Sequence, residues 1–291
     1  MVEINNHCSG KIPPGFFSNF FIVLDWIHNS MYNQEKIFVN WNCGDLDNIW
    51  PTLFEQPKFD KNELSLKINN FRCQYDNKFT INNINEVLPV YNKYNGWFYN
   101  NVNFFYDENF QNFRDEFHKS FSTLEINKNI IEKVDEFTKN FDDDILGITV
   151  RIPSHYTLDK TDGIPLSNIF NVNDFYEKIS EEVICEFNTK KYKKIFVCCD
   201  VQYFIDLLVE KVGSESVIYT NYNRIQSLDE DWVVKGLQLR DEYKLVLVDC
   251  LILSKCSYII GGSSNIFLGS LIMNKNLEFG IFDFLKKSYG L

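Results

Sequence analysis

Four small polar clusters in this chain follow apolar runs, where charged and hydrogen-bonding side chains can do chemistry. They are Arg151 with Ser154 and His155, then Asp200, then Asn221 with Arg224, and last Gly262-Ser263-Ser264-Asn265. The last cluster separates the apolar run Ser257 to Ile260 from a second apolar run that ends at Met273. A strand that stops at glycines and reopens as a helix presents free backbone N–H groups at the helix start. Those donors suit an anion, and phosphate is the commonest biological one. The same residues would also serve as a plain tight turn with a helix cap. Arg151 closes an apolar strand, where a cation needs a partner. One reading is a bidentate clamp on a phosphate. The other is an ion pair with one of the 40 acidic residues. Asp200 reads as a ligand-side acid or as the N-cap of the next helix, and Asp249 as a ligand or a residue that caps or solvates its own helix.

The elements that must position these residues come from hydrophobic spacing. Ile145–Ile152, Lys194–Asp200, Ser216–Thr220, Tyr258–Ile260 and Leu277–Phe282 read as strands. Asp174–Phe187, Val201–Val212, Leu245–Ser254 and Asn265–Met273 read as helices between them, with Gly213 as a C-cap. The strands are apolar on both faces, which is the pattern of a parallel sheet covered by helices on both sides. In such a sheet ligands bind at the carboxyl ends of the strands, which is where the four clusters fall.

The first half is less regular. Pro13, Pro14 and Gly15 make a turn, Phe16–Ile27 has the spacing of a buried helix, and Ile37–Trp41 is a strand. Loop, helix and strand are thus expected to open the chain. Residues 42–127 resist assignment, while 112–140 reads as one or two helices. Of the 34 Asn, 25 lie in residues 1–150, and this shift supports a domain boundary near the midpoint. The expected domains are 1–142 and 143–291. Trp41, Trp50 and Trp97 are core residues or platforms for a sugar face, and His28 is structural.

Bulk composition sets outer limits. A chain that is 45% hydrophobic and 16% aromatic over 291 residues can build a large core. A net charge of −11 argues against a nucleic-acid or anionic-membrane surface. No run reaches the ~18 apolar residues of a membrane span. The opening residues have no secretory pattern, so a chain complete at its N-terminus is expected to be cytoplasmic. Eight Cys without a CxxC pair read as reduced, mostly buried thiols. Asp142-Asp143-Asp144 precedes a strand and reads as a solvated turn, so no metal site is expected.

The residues also resemble a known family. Ile148–Ile152, reading ITVRI, resembles the HxR strand of fucosyltransferases with two Rossmann-like domains, the GT-B arrangement. Arg151 matches the family Arg, Thr149 stands where the family usually has His, and Ile152 where a second Arg is frequent. Asp249 to Ser264 resembles the family's later motif, a helix with D-x-x-x-L-S spacing, a strand and a Ser-Ser turn. Asp200 falls where these enzymes carry an acid. Gly15 and Asn19 are what remains of an N-terminal Gly-rich loop.

The resemblance implies an α/β GT-B fold, with parallel sheets in two Rossmann-like domains facing across a cleft. It implies transfer of a sugar, foremost fucose from GDP-fucose, to a glycan or glycosylated acceptor by metal-independent inverting chemistry. The N-terminal domain would face the acceptor and the C-terminal domain would hold the nucleotide sugar. Arg151 would be catalytic. Gly15, Asn19, Asp200, Asp249, Ser263, Ser264 and Asn265 would bind the donor, with Asp249 on the guanine or ribose side and Ser263 or Ser264 on a phosphate. Asp25, Asp45 and Asp47 are candidates for a base. A transferase using another nucleotide sugar, and an inactive nucleotide-sugar or glycan-binding module, stay open as alternatives. No cofactor is expected.

Overall fold

The structure is a computed structural model. It describes residues 1–9, 16–32, 36–43, 48–58, 61–63, 66–73, 79–80, 102–141, 144–151, 171–222, 224, 239–262 and 264–288. The chain divides into two compact units. The first comprises Met1–Trp97, Gln111–Asp135 and Gly236–Val248; the second comprises Phe98–Phe110, Glu136–Lys235 and Asp249–Leu291.

The first unit opens with β1 (Val2–Ser9), followed by α1 (Phe16–Tyr32) and β2 (Ile37–Cys43). β3 (Leu66–Cys73) and β4 (Phe79–Thr80) complete a sheet of order β2-β1-β3-β4. β1 runs parallel to both neighbours, and β4 is antiparallel to β3. The expectation that the chain opens with loop, helix and strand is corrected by β1. The reason is physical: in β1 the alternation of Val2 and Ile4 with Glu3 and Asn5 is short, and Asn6 and His7 interrupt the apolar pattern that would announce a strand. Its central place between two parallel partners, and not its own propensity, holds it in the sheet.

The helices of the lower half of this region are α2 (Phe110–Phe121) and α3 (Lys128–Thr138), two helices over the expected span. α1 is apolar around most of its circumference and is buried accordingly. Phe20 stacks on Phe54 with ring centroids 5.3 Å apart, and Phe16 stacks on Trp41 at 5.5 Å. Trp41 and Trp50 are fully buried in this aromatic core. They are packing residues, which corrects the reading that offered them as sugar platforms. His28 is also buried on α1, and Trp97 lies outside the described residues.

The second unit contains β5 (Ile145–Val150), α4 (Val172–Lys190), β6 (Lys194–Cys199), α5 (Gln202–Val212) and β7 (Val217–Ile218). After α6 (Leu239–Leu253), which belongs to the first unit as far as Val248 and to the second from Asp249, it continues with β8 (Tyr258–Gly261), α7 (Asn265–Met273), β9 (Glu278–Ile281) and α8 (Asp283–Ser288). The strand order is β7-β6-β5-β8-β9, and every pairing is parallel. All six residues of β5 are buried, as a strand covered on both faces requires. The order runs outward from β5 to β6 and β7, then restarts on the other side at β8. The switch point therefore lies between β5 and β8, and the crevice at their carboxyl ends is the ligand position of a doubly wound sheet.

Candidate functional site

Two chain segments leave the sheet at the switch point. Thr149 pairs with Gly261 across β5 and β8, so Arg151 and Gly262 come just after neighbouring strand ends. Gly261 is required by this close approach. A Cβ there would run into the Thr149 hydroxyl, and would sit 2.7 Å from the Phe267 ring. After the turn, Ser264 is the N-cap of α7, and its hydroxyl oxygen accepts from Phe267 N at 3.2 Å. Its own O–H hydrogen is left to donate elsewhere. α7 is buried from Ile266 to Met273, so its start is fixed firmly. Asn265, half-buried, is its first residue.

Arg151 is held by Asp200 on the adjacent strand end. Its Nε lies 2.9 Å from Asp200 Oδ2, with both side chains partly exposed. Asp200 is not a helix cap: the N-cap of α5 is Val201, which makes no side-chain cap bond. The structure thus shows for Arg151 the ion pair that the sequence offered as the alternative to a phosphate clamp.

Below this surface lies a buried polar network. Asp249, 2% exposed, accepts from the Thr220 hydroxyl at 2.6 Å and faces Cys198 Sγ at 3.7 Å. Burial pushes its pKa up to about 6, opposed by the Thr220 hydrogen bond and the Arg224 charge. Arg224, 6% exposed, donates from Nε to Cys199 O at 3.0 Å and from Nη2 to Thr220 O at 2.7 Å. Its guanidinium lies 4.0 Å from the centre of the Tyr222 ring. The Tyr222 hydroxyl donates to Cys199 O at 3.2 Å, and burial raises its pKa well above the usual value, so it remains a donor. Burial also pushes the Cys199 thiol up to about 12 and raises the Cys198 thiol well above its ordinary value, with the Asp249 charge adding to the latter. These thiols stay protonated at neutral pH and are not nucleophiles.

Arg151, Asp200, Asp249, Ser264 and Asn265 thus all belong to the second unit. Arg151, Asp200, Ser264 and Asn265 lie at or just beyond the carboxyl ends of its strands, whereas Asp249 lies beneath them. Asn19 is fully buried on α1 in the first unit. Gly15, Ser263, Ser154, His155, Asp45 and Asp47 fall outside the described residues. Asp25 is fully buried on α1, without the access that a base needs to reach an acceptor hydroxyl. Asp144 forms an ion pair with Lys193 at 2.9 Å at the start of β5. Among the described residues, no group of three or more His, Cys, Asp and Glu could hold a metal ion. Thr220 and Tyr222 were missed by sequence reasoning. Their signal is the buried-cation problem posed by Arg224, which demands acceptors close by in the chain.

No family model matches this chain, and no curated protein does. Among solved structures, the fucosyltransferase NodZ from Bradyrhizobium is similar over 97% of this chain and 96% of its own, with a TM-score of 0.50 and 13% identity. The fold is a fucosyltransferase-like GT-B fold. NodZ alpha-1,6-fucosyltransferase soaked with GDP-fucose gives 0.49 at 12% identity, over 93% of this chain and 92% of that one. POFUT1 in complex with GDP gives 0.47 at 9% identity, over 97% and 98%. In GT-B terms, the five-stranded sheet of the second unit is one Rossmann-like half, and the parallel part of the first sheet belongs to the other. No helix among the described residues is long and apolar enough to cross a membrane.

Proposed function

We propose that this chain is a glycosyltransferase that moves a sugar, foremost fucose from GDP-fucose, to a glycan or glycosylated acceptor. The observation that carries the reading is that β5 and β8 end side by side at the switch point, with Arg151 just past one strand end and the capped start of α7 just past the other. A departing nucleoside diphosphate develops charge that must be stabilised as the glycosidic bond breaks. Arg151 offers guanidinium donors, and the α7 start offers N–H groups and the Ser264 hydroxyl. This set can supply the stabilisation without a metal. Ser263 and Asn265 flank the same turn and join the donor contacts in this reading. Gly15 and Asn19 are further donor contacts that the resemblance implies.

Asp200 enters by holding Arg151, and Asp249 by holding Thr220. The fucose and the guanine rest on the family resemblance. The fold likeness to NodZ supports the transferase class, and inversion follows the same resemblance. The acceptor hydroxyl would attack the anomeric carbon from the face opposite the diphosphate, losing its proton to a base or to solvent.

A thermal-shift panel of GDP-fucose, GDP-mannose, UDP-sugars and GDP tests the donor. Stabilisation by GDP ligands is expected, and stabilisation by UDP-sugars alone would sink the fucosyl reading. Donor hydrolysis or transfer that disappears in Arg151→Ala supports the enzyme. Tight GDP binding with no turnover in the parent chain points instead to a binding module.

A further inference from the structure

We propose that Arg224 and Tyr222 are positioning residues for Arg151, acting through the Cys199 carbonyl and Asp200. The inference rests on the reading of Arg151 as a diphosphate contact.

Its basis is a gap in the sheet. Pairing between β6 and β7 ends at Phe196 with Ile218. Val197, Cys198 and Cys199 of β6 therefore extend beyond β7, while β5 continues alongside them to Val150. Buried main-chain carbonyls need donors. At Cys199 the donors come from side chains of the segment after β7. Arg224 Nε reaches Cys199 O at 3.0 Å and the Tyr222 hydroxyl reaches the same atom at 3.2 Å. Two donors thus converge on the last carbonyl of β6. The next residue is Asp200, whose carboxylate fixes Arg151 Nε at 2.9 Å.

The clamp is built for rigidity. Arg224 is almost wholly buried, and a buried cation is retained only with good partners. A second bond from Nη2 to Thr220 O anchors its other side, and Thr220 in turn donates to buried Asp249. The Tyr222 ring lies under the guanidinium, which fixes its plane. The peptide that carries Asp200 is thus held from a buried foundation. Freedom at that peptide would let Asp200, and with it Arg151, drift from the geometry the diphosphate needs. Small displacements of a positioning shell weaken a site strongly.

A double-mutant cycle separates this role from general support of the fold. GDP affinity is measured by titration calorimetry on the full chain, with folding checked by circular dichroism. The variants are Arg151→Ala, Arg224→Ala and the pair. Arg151→Ala is expected to weaken GDP about tenfold or more, and Arg224→Ala about tenfold. The double variant is expected to bind within about twofold of Arg151→Ala, because Arg224 acts through Arg151. Folded Arg224→Ala with unchanged affinity, or two losses that simply multiply in the pair, would overturn the proposal. If Arg224→Ala does not fold, Tyr222→Phe replaces it in the cycle. That variant keeps the ring and removes one donor, for an expected loss of about threefold that vanishes in the Arg151→Ala background. An Arg151→Ala variant that binds GDP like the parent sinks the reading of Arg151 itself, and this inference with it.

Discussion

Arg151 Nε and Asp200 Oδ2 are 2.9 Å apart, and the two residues follow the ends of adjacent parallel strands. The pair places a carboxylate beside the position proposed for a diphosphate. Asp200 therefore has two opposed effects on that ligand: it orients the cation, and it repels the anion. Substitution can separate them. Asp200→Asn keeps the side chain's size beside Arg151 and removes the charge. It is expected to tighten GDP binding about two- to fivefold at low salt, with the gain shrinking as salt rises. Asp200→Ala removes the side chain beside Arg151 as well and is expected to bind GDP about tenfold more weakly than Asp200→Asn. Calorimetric titrations of the two variants at two ionic strengths check this. Equal affinities would mean that orientation by Asp200 is immaterial.

Asp249 gives a dependence of stability on pH. Its folded pKa is raised to about 6 from 3.8, chiefly by burial. A raised folded pKa means that the native state binds the proton more tightly than the unfolded chain. The stabilising contribution is therefore full below about pH 3.8 and is lost as pH rises through 6. The span is on the order of 3 kcal/mol. Asp249→Asn keeps an acceptor for Thr220 without titrating. Urea midpoints of parent and variant should converge near pH 4 and separate in favour of the variant by pH 7. A difference that is flat between pH 4 and pH 7 would contradict the raised pKa.

Thr220→Val tests the same network from the donor side. The valine matches the threonine in shape and removes the hydroxyl that Asp249 accepts at 2.6 Å. At pH 7.5 the carboxylate is charged, and losing a buried donor should destabilise the fold by about 2 kcal/mol. At pH 5 Asp249 is largely protonated, so the loss should shrink. Denaturation of both proteins at the two pH values checks it, and an equal loss at both would remove the hydroxyl–carboxylate bond as the cause.

The second unit was legible because its local signals agree. β5 and β6 are apolar on both faces, and the helices between the strands have clear spacing, so periodicity alone gave the sheet class and its ligand edge. β1 was not legible, because its apolar alternation stops after Val2 and Ile4, and Asn6 and His7 follow. For Trp41 and Trp50 the core reading holds, and only burial, which residue type does not show, excludes the sugar-platform alternative. Within the site, Arg151 and Asp200 stood out by position, but their mutual pairing needed the register of β5 with β6. Thr220 and Tyr222 look like ordinary loop residues until Arg224 folds back under the strand ends.

Gly261 has the sharpest steric constraint at the switch point. It faces Thr149 across the β5–β8 pair, and its missing side chain admits both the Thr149 hydroxyl and the Phe267 ring. Gly261→Ala would push against the strand that leads to Arg151 and against the first turn of α7. Overpacking of this kind destabilises by about 1–3 kcal/mol. Thr149→Ala removes the closest obstacle and leaves the Phe267 ring, which meets the new methyl carbon at 2.7 Å. The double variant Thr149→Ala/Gly261→Ala should therefore recover part, not all, of the loss. Because both contacts are buried under the strand ends that lead to Arg151 and to the start of α7, Gly261→Ala should also weaken GDP binding more than its stability loss alone predicts. Thermal melts with and without GDP check both statements. Additive losses in the double variant would show that Thr149 is not the group that Gly261 makes room for.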